Sequence, residues 1–335
     1  MSDLLANFWV LLALKLVAIG ALVPVSALVI GTAELKISAH MQARVGPYFA
    51  GGKWGWAQLI ADGIKFFQKE DIIPEDADRQ VFRWAPALVL LSTTALFVVI
   101  PFSPNLIVQD LDLGVFYILA ISSVSTIGVL MAGWSSANKY SLMGGLRAAG
   151  QLIAYELPLV LAVVGVVIQA GTMSMGGIVE AQSSFEVFGT GLVVPYIAVQ
   201  FVGFLVFMTA ALAELSRIPF DLPVAESELV MGFVTEYSGF RFLFFFLGEY
   251  ANMFSMSAIA STLFLGGYYF PGLNPEIWGP VVLTVKILGL AFLMIWFRWT
   301  FPRLREDQLQ TFAWKWLIPV SLANIAVTGI FKVAF

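Results

Sequence analysis

The sequence contains no cysteine and a single histidine, His40, and both shortages exclude common kinds of site. Without thiolates, the chain itself forms no disulfide, no zinc–thiolate site and no cysteine-bound iron–sulfur cluster. One imidazole supplies too few ligands for a histidine-based metal site. We therefore expect no metal or covalent cofactor in this chain, and we expect any redox centre to lie in another protein or in a diffusing molecule.

Charged residues are also scarce. They make up 12% of the 335 residues, whereas 59% are hydrophobic, and the mean hydropathy is +0.88. This composition is typical of a protein embedded in a lipid bilayer. The net charge of -4 gives no reason to expect nucleic acid as a partner. The composition predicts one integral membrane domain over 1–335, without a separate soluble domain.

Long apolar runs predict an all-α, polytopic membrane protein with eight transmembrane helices. A helix of about 20 apolar residues spans one bilayer. The candidate spans are at 8–31, 84–101, 114–134, 148–170, 191–213, 240–265, 278–297 and 313–334.

Fourteen of the 18 Lys and Arg residues lie in, or at the edge of, alternate links between these spans. They are Lys36, Arg44, Lys53, Lys65, Lys69, Arg79, Arg83, Lys139, Arg147, Arg217, Arg241, Arg298, Arg303 and Arg305. The intervening links at 102–113, 171–190 and 266–277 contain neither Lys nor Arg. Because Lys and Arg near span ends are retained on the cytoplasmic side, the basic links are predicted to be cytoplasmic and both termini to lie outside.

The first cytoplasmic link, 32–83, is predicted to carry an amphipathic surface helix between Trp54 and Lys69. Its apolar stripe consists of Trp56, Leu59, Ile60 and Phe67, and its charged face consists of Asp62, Lys65 and Lys69. A plain interfacial anchor would explain the apolar stripe alone.

Two glutamates lie inside predicted spans, where an ionisable group is costly and is a functional candidate by default. Glu156 and Glu249 both lie roughly 12 to 14 Å below the cytoplasmic surface, at 1.5 Å per helical residue. Pro158 cannot donate a backbone hydrogen bond, so a kink beside Glu156 is expected to free a carbonyl that holds water. These features favour a proton path.

A second cytoplasmic link, 214–239, is acidic. Its carboxylates face one local cation, Arg217, and they are Glu214, Asp221, Glu226, Glu228 and Glu236. Crowded carboxylates raise one another's pKa and titrate as a set, which allows proton uptake near neutral pH. A solvated acidic loop is the alternative. The many apolar residues of the link, including Phe220 and Phe233, favour a buried and functional loop.

Several segments together resemble one family, the quinone-proximal membrane subunit of respiratory complex I (NADH:quinone oxidoreductase), which is also called its H subunit or subunit 1. The most specific segment is 217–238, which begins RIPFDLPVAESE. The others are QARVGP at 42–47, ADGIK at 61–65, LRAAGQLIAYE at 146–156 and FPRLREDQL at 301–309. The resemblance extends over nearly the whole chain.

The resemblance implies a bacterial plasma (inner) membrane protein that encloses a cavity for quinone, either ubiquinone or menaquinone. Peripheral subunits on the cytoplasmic face would hold flavin and iron–sulfur clusters, and small membrane subunits would lie laterally, so the chain would not be catalytic alone. Matching positions give the quinone-binding candidates Arg44, Asp62, Lys65, Phe66, Glu226, Glu228, Phe233 and Arg298. Those matching the acidic chain that couples quinone chemistry to proton translocation are Glu34, Glu156, Glu214, Glu236 and Glu249.

The sequence departs from the family pattern in three places. Leu35 stands where the family usually has Arg, Tyr48 where it has Asn, and Leu215–Ser216 where it has Thr–Asn. A quinone contact that needs a cation at position 35 is therefore not carried over.

Two other functions are compatible with parts of the sequence. Buried glutamates alone would permit a stand-alone proton-coupled transporter, although the absence of an internal repeat argues against an inverted-repeat transporter. The related subunit of a membrane-bound hydrogenase is the third possibility.

Overall fold

The computed structural model describes residues 8–52, 54–185 and 194–334, apart from the side chain of Glu226. This part of the chain contains helices and no β-strand. The helices are α1 Phe8–Met41, α2 Gln58–Gln68, α3 Arg79–Leu96, α4 Gly114–Ser135, α5 Lys139–Ala170, α6 Met175–Ser183, α7 Phe201–Glu214, α8 Glu226–Leu229, α9 Gly239–Phe264, α10 Pro275–Thr300, α11 Glu306–Phe312 and α12 Ile318–Ala334.

Seven of the described helical segments are long and apolar enough to cross a membrane, which confirms the all-α polytopic fold. They are α1, α3, α4, α5, α9, α10 and the continuous run of α11 and α12, which are joined by a π-helical turn. The predicted span at 191–213 differs, because α7 has only 14 residues. At 1.5 Å per residue it is about 21 Å long, shorter than a hydrocarbon core of about 30 Å. The count of eight full-length spans is therefore not exact.

The shortening of this span has a local cause. Pro195, which has no backbone N–H, precedes a 3₁₀ turn at Tyr196–Ala198, and α7 begins only after Gln200. The side chain of Gln200 donates to Thr328 and accepts from Asn324 on α12. The polar groups are thus satisfied within the protein, and hydropathy alone did not reveal where the helix begins.

Two of the observed helices are longer than the apolar runs from which they were predicted. α1 continues to Met41, ten residues beyond the predicted end at 31, and α5 begins at Lys139 and continues through Pro158. Glu34 and Ser38, in the extension of α1, have hydrogen-bond partners in Arg217 and Trp299. Because these partners satisfy the polar side chains, the helix extends beyond the run that hydropathy identifies.

The predicted surface helix exists but is shorter than expected, since α2 begins at Gln58 rather than Trp54. Gly55 makes the preceding turn with φ of +61°, and a Cβ atom there would lie 2.2 Å from the carbonyl oxygen of Pro47. Leu59 packs against Gly31 of α1. The ring of Phe67 lies 4.8 Å from that of Phe240 on α9. Leu59 and Phe67 therefore contact the protein itself, while Trp56, Ile60 and Phe67 remain 60%, 41% and 66% exposed.

The helices pack around one main apolar core. α4 lies between α3 and α5, α5 also packs on α7 and α12, and α9 packs on α1, α3 and α10. Residues 215–238 fold back against α5, where Gly144 is so close to the backbone of Gly232 and Phe233 that a Cβ atom would clash. This close approach fixes the acidic link against the helix ends that carry the basic residues.

Candidate functional site

Arg217 and Glu34 form a buried ion pair at the centre of the site. Arg217 lies in the turn after α7 and donates from Nη1 to both carboxylate oxygens of Glu34, at 2.8 and 2.9 Å. The side chains are 6% and 5% exposed. Arg298 of α10 donates to the same carboxylate. Two cations therefore compensate one carboxylate that is almost completely removed from solvent.

Arg217 also pairs with a second carboxylate. Its Nη2 lies 3.0 Å from Oε1 of Glu249 on α9, and its guanidinium carbon lies 5.0 Å from the ring centroid of Tyr250. Burial lowers the pKa of Arg217, but the negative charges of Glu249 and Glu34 raise it by more than burial lowers it. The pKa of Arg217 is therefore above its ordinary value. The guanidinium therefore stays protonated while its two partners remain charged.

A cavity of about 350 Å³ adjoins this cluster. Glu214, Arg217, Asp221, Glu249 and Arg298 supply its charged wall. Another part of the wall is apolar and consists of side chains of the 215–234 link and of α9, including Met231, Phe233, Phe242, Phe245 and Phe246. An apolar pocket with a few convergent polar groups is the usual form of a small-molecule site.

Asp221 carries a second ion pair at the cavity wall. Its Oδ2 lies 3.0 Å from Nη2 of Arg303, and its side chain is 23% exposed. Burial raises the pKa of Asp221, and the neighbouring Arg303 and Arg298 partly offset that rise. The net effect is a carboxyl that takes up a proton more readily than a solvated aspartate.

Four of the quinone-binding and proton-coupling candidates line this cavity: Phe233, Arg298, Glu214 and Glu249. Glu34 does not line it but pairs with two arginines that do. The negative charge of Glu156 on α5 acts on Glu214. Four of the five glutamates of the expected acidic chain thus form two groups: Glu34 and Glu249 pair with Arg217, and Glu156 interacts electrostatically with Glu214.

Glu236 and Glu228 lie elsewhere. Glu236 accepts a hydrogen bond from Asn138 and lines a separate open pocket near the beginning of α5. Glu228 pairs with Arg147 at 2.7 Å and is half exposed. Their partners are Asn138, which caps the beginning of α5, and Arg147, which lies within α5, and these partners hold both carboxylates away from the cavity. The side chain of Glu226 lies outside the described residues.

The candidates of the link 32–83 also lie outside the cavity wall. Arg44 is exposed and donates from Nε to Gln42 at 2.6 Å. Asp62 and Lys65 pair with each other along α2 at 3.3 Å.

Phe66 is connected to the cavity only through another side chain. Its ring centroid lies 5.3 Å from that of Phe242, which lines the cavity.

The sequence suggested that the acids of 214–239 face Arg217. The ion-pair partners of Arg217 are instead Glu34 and Glu249. Sequence reasoning also missed Tyr250 beside Arg217 and the pairing of Asp221 with Arg303. The position of Tyr250 next to Glu249 was a signal that could have identified it. Asp221 and Arg303 carried no comparable signal, because they are far apart in the sequence.

The described residues offer no set of ligands for a resident metal ion. Among the described residues there is no group of three or more His, Cys, Asp or Glu side chains that could hold a metal ion. The charged cluster consists of cations and anions that are paired with one another.

Sequence comparisons relate the chain to subunits of one kind of enzyme. Residues 14–329 match the profile of a family described as NADH dehydrogenase. A protein of Bacillus thuringiensis subsp. konkukian, described as the H subunit of an NADH-quinone oxidoreductase, is 48% identical over 306 residues, which cover 90% of this chain and 88% of the relative. Relatives of the same description from Bacillus thuringiensis (strain Al Hakam) and Bacillus anthracis are 47% identical over the same shares of both chains.

Proposed function

The chain belongs to the NADH dehydrogenase family, and on that basis we propose that it is the H-type membrane subunit of a bacterial, proton-translocating NADH:quinone oxidoreductase. In this role it forms the quinone cavity together with peripheral subunits. It couples quinone reduction to proton translocation through buried glutamates and is not catalytic alone.

One observation carries the proposal: a half-apolar cavity of about 350 Å³ has a buried arginine–carboxylate cluster in its wall. A quinone headgroup is a flat ring with two carbonyl oxygens. The aromatic side chains of Phe233 and Phe242 offer faces for the ring, and Arg217 and Arg298 offer N–H donors for a carbonyl oxygen. This combination supports quinone as the ligand.

Reduction of a quinone to a quinol consumes two electrons and two protons. The electrons come from iron–sulfur clusters of partner subunits, since this chain has no cysteine to bind one. The chain's own contribution is to hold the headgroup, to exclude water with apolar side chains, and to keep ionisable groups close to the site where charge develops.

The coupling role falls to the glutamates around Arg217. Glu34 and Glu249 share this cation, and Glu214 adjoins the cavity and interacts with Glu156. A negative charge that forms on the quinone would compete for Arg217, which would weaken its hold on the two carboxylates and raise their affinity for protons. Quinone chemistry and carboxylate protonation are coupled in this way.

Arg44, Asp62, Lys65, Phe66, Glu226 and Glu228 stay predictions as quinone contacts. In the isolated chain, those whose side chains are described do not line the cavity, and peripheral subunits that dock on α2 would complete the wall on that side. The cytoplasmic orientation of this face, with both termini outside, also remains part of the proposal.

The quinone site is tested by Phe233→Ala in the intact, purified complex. Phe233 lines the cavity, and removal of its ring deletes apolar contact with the headgroup. We expect the KM for a short-chain quinone to rise roughly tenfold, which corresponds to the loss of about 1.4 kcal/mol of binding. NADH oxidation by a soluble acceptor such as ferricyanide should stay unchanged, because it bypasses the cavity.

Phe116→Ala is the matched control, because Phe116 lies on α4 away from the cavity and is 63% exposed. This variant should keep wild-type quinone kinetics. An unchanged KM in Phe233→Ala, in complex that is shown to be intact, would contradict the quinone assignment.

The complex itself distinguishes the alternatives. Gentle detergent purification should give a large assembly with flavin and iron–sulfur absorbance. Nickel and iron without flavin would indicate the hydrogenase relative, and an isolated chain would indicate a transporter.

A further inference from the structure

The turn that carries Arg217 is held by one glutamine on a neighbouring helix. Gln151 of α5 donates from Nε2 to the carbonyl oxygen of Ala213, at 2.7 Å, and to that of Phe220, also at 2.7 Å. These carbonyls lie at the two ends of the segment 213–220. One side-chain amide therefore hydrogen-bonds to both ends of the turn in which Arg217 lies.

The turn to which Gln151 hydrogen-bonds forms part of the cavity wall. All five residues of 214–218, which lie between the two bonded carbonyls, line it, and so do Ala148 and Leu152 beside Gln151 on α5. Bonds within the turn, from Ser216 N to Ala213 O at 3.1 Å and from Phe220 N to Arg217 O at 2.7 Å, fix its internal shape. The bonds from Gln151 fix where that shape sits relative to α5.

The position of Gln151 is not what packing alone would favour. The side chain is 1% exposed, and its Oε1 is buried without a hydrogen-bond partner among the described residues. An unpaired buried acceptor costs free energy, whereas an apolar side chain of the same size would have no such cost. The two donated bonds are the gain that offsets it.

A shift of this turn would act directly on the charge cluster. Arg217 reaches Glu34 and Glu249 at 2.8 and 3.0 Å. Charged hydrogen bonds weaken steeply with distance and angle, so a displacement of the turn by about 1 Å is enough to break this arrangement.

We propose that Gln151 is a positioning residue for quinone reduction, which acts by holding the 213–220 turn so that Arg217 bridges Glu34 and Glu249 at the cavity wall. The inference rests on the proposed function, since it assigns Gln151 a role in the same cavity. Gln151 touches neither quinone nor the carboxylates in this assignment and acts only through Arg217.

The test is Gln151→Met in the intact complex, because methionine keeps the length and volume of glutamine but has no N–H donor. We expect the KM for a short-chain quinone to rise roughly tenfold, while NADH:ferricyanide activity stays within about twofold of wild type. Added to Arg217→Lys, the same change should raise KM no further, because the residue through which Gln151 acts is already altered.

Gln182→Met is the matched control. Gln182 is also 1% exposed, donates to the carbonyl oxygen of Thr262 at 2.8 Å and accepts from Tyr196 N, but it lies on α6, away from this cavity. Both variants should lower the heat stability of the complex to a similar degree, and only Gln151→Met should change quinone KM.

Gln151→Glu, which keeps the side-chain length, replaces Gln151→Met if that variant does not assemble. Unchanged quinone KM in an assembled Gln151 variant would overturn the inference, as would equal kinetics in the Gln151 and Gln182 variants or failure of both Gln151 variants to assemble. Phe233→Ala, measured in parallel, separates this failure from failure of the proposed function, since a raised KM there shows that the cavity binds quinone whatever Gln151 does.

Discussion

Arg217 Nη1 lies 2.8 Å from one carboxylate oxygen of Glu34 and 2.9 Å from the other, although the residues are 183 positions apart in the chain. The pair joins α1 to the turn after α7, and Arg298 joins α10 to the same carboxylate. A buried charge with such partners is costly to expose singly, because the remaining charges lose their compensation. The packing of three segments therefore depends on one glutamate.

Glu34→Gln is expected to destabilise the assembled complex. Removal of the charge leaves Arg217 with only Glu249, and breaking a buried pair typically costs about 3 to 5 kcal/mol. Glu228→Gln is the control, because Glu228 is 50% exposed beside Arg147 and an exposed pair contributes about 1 kcal/mol or less. The midpoint of heat inactivation should fall clearly further for Glu34→Gln. Equal midpoints would contradict the central role of the buried pair.

Glu249→Gln is expected to lower quinone-linked turnover and proton translocation together. Glutamine keeps the shape of Glu249 but neither exchanges a proton nor pairs with Arg217 as an anion. Glu249→Asp should keep part of both activities. The measurement is NADH:quinone activity with acidification of reconstituted vesicles.

Glu236→Gln is the control for that experiment, because Glu236 lies in a separate pocket and bonds with Asn138. Its rates should stay near those of wild type. A loss in Glu236→Gln with wild-type rates in Glu249→Gln would reverse the assignment of the coupling acids.

Gly144→Ala should displace the link that forms the cavity wall. A Cβ atom at Gly144 would lie 2.6 Å from the backbone nitrogen of Phe233 and 2.7 Å from Cα of Gly232, and backbone atoms yield little. We expect a several-fold loss of quinone activity. Gly150→Ala on the same helix meets only the end of Gln310, at 3.8 Å, so it should be neutral or slightly stabilising. Similar activities in the two variants would show that the link is not held by this contact.

The orientation can be measured by single cysteines, since none is native to the chain. Gln42→Cys and Gln68→Cys lie at exposed positions of the basic side, and Asn105→Cys and Ser184→Cys at exposed positions of the other side. An impermeant thiol reagent should label the first two from the cytoplasm and the others from outside. Partner subunits docked on the proposed cytoplasmic face would cover part of it, so labelling is repeated after they are stripped from the membrane. Reversed labelling would contradict the prediction that both termini lie outside.

The sequence by itself determined the membrane class, most of the helices and the candidate acids. Transfer of an apolar run of about 20 residues into lipid is a local property of the chain, so hydropathy located α4, α9 and α10 with little error. A glutamate inside such a run is equally visible, and Glu156 and Glu249 were identified in this way. The alternation of basic links needed no structure either.

The tertiary structure decided which charges meet. Glu34, Arg217 and Glu249 come from distant segments, and Glu228 and Glu236 leave the cavity because Arg147 and Asn138 hold them at the beginning of α5. An ion pair between segments leaves no periodic pattern in either one, because it depends on how the helices pack and not on the transfer energy of either run. For the same reason the sequence did not show the late beginning of α7 or the two bonds from Gln151 to the turn that contains Arg217.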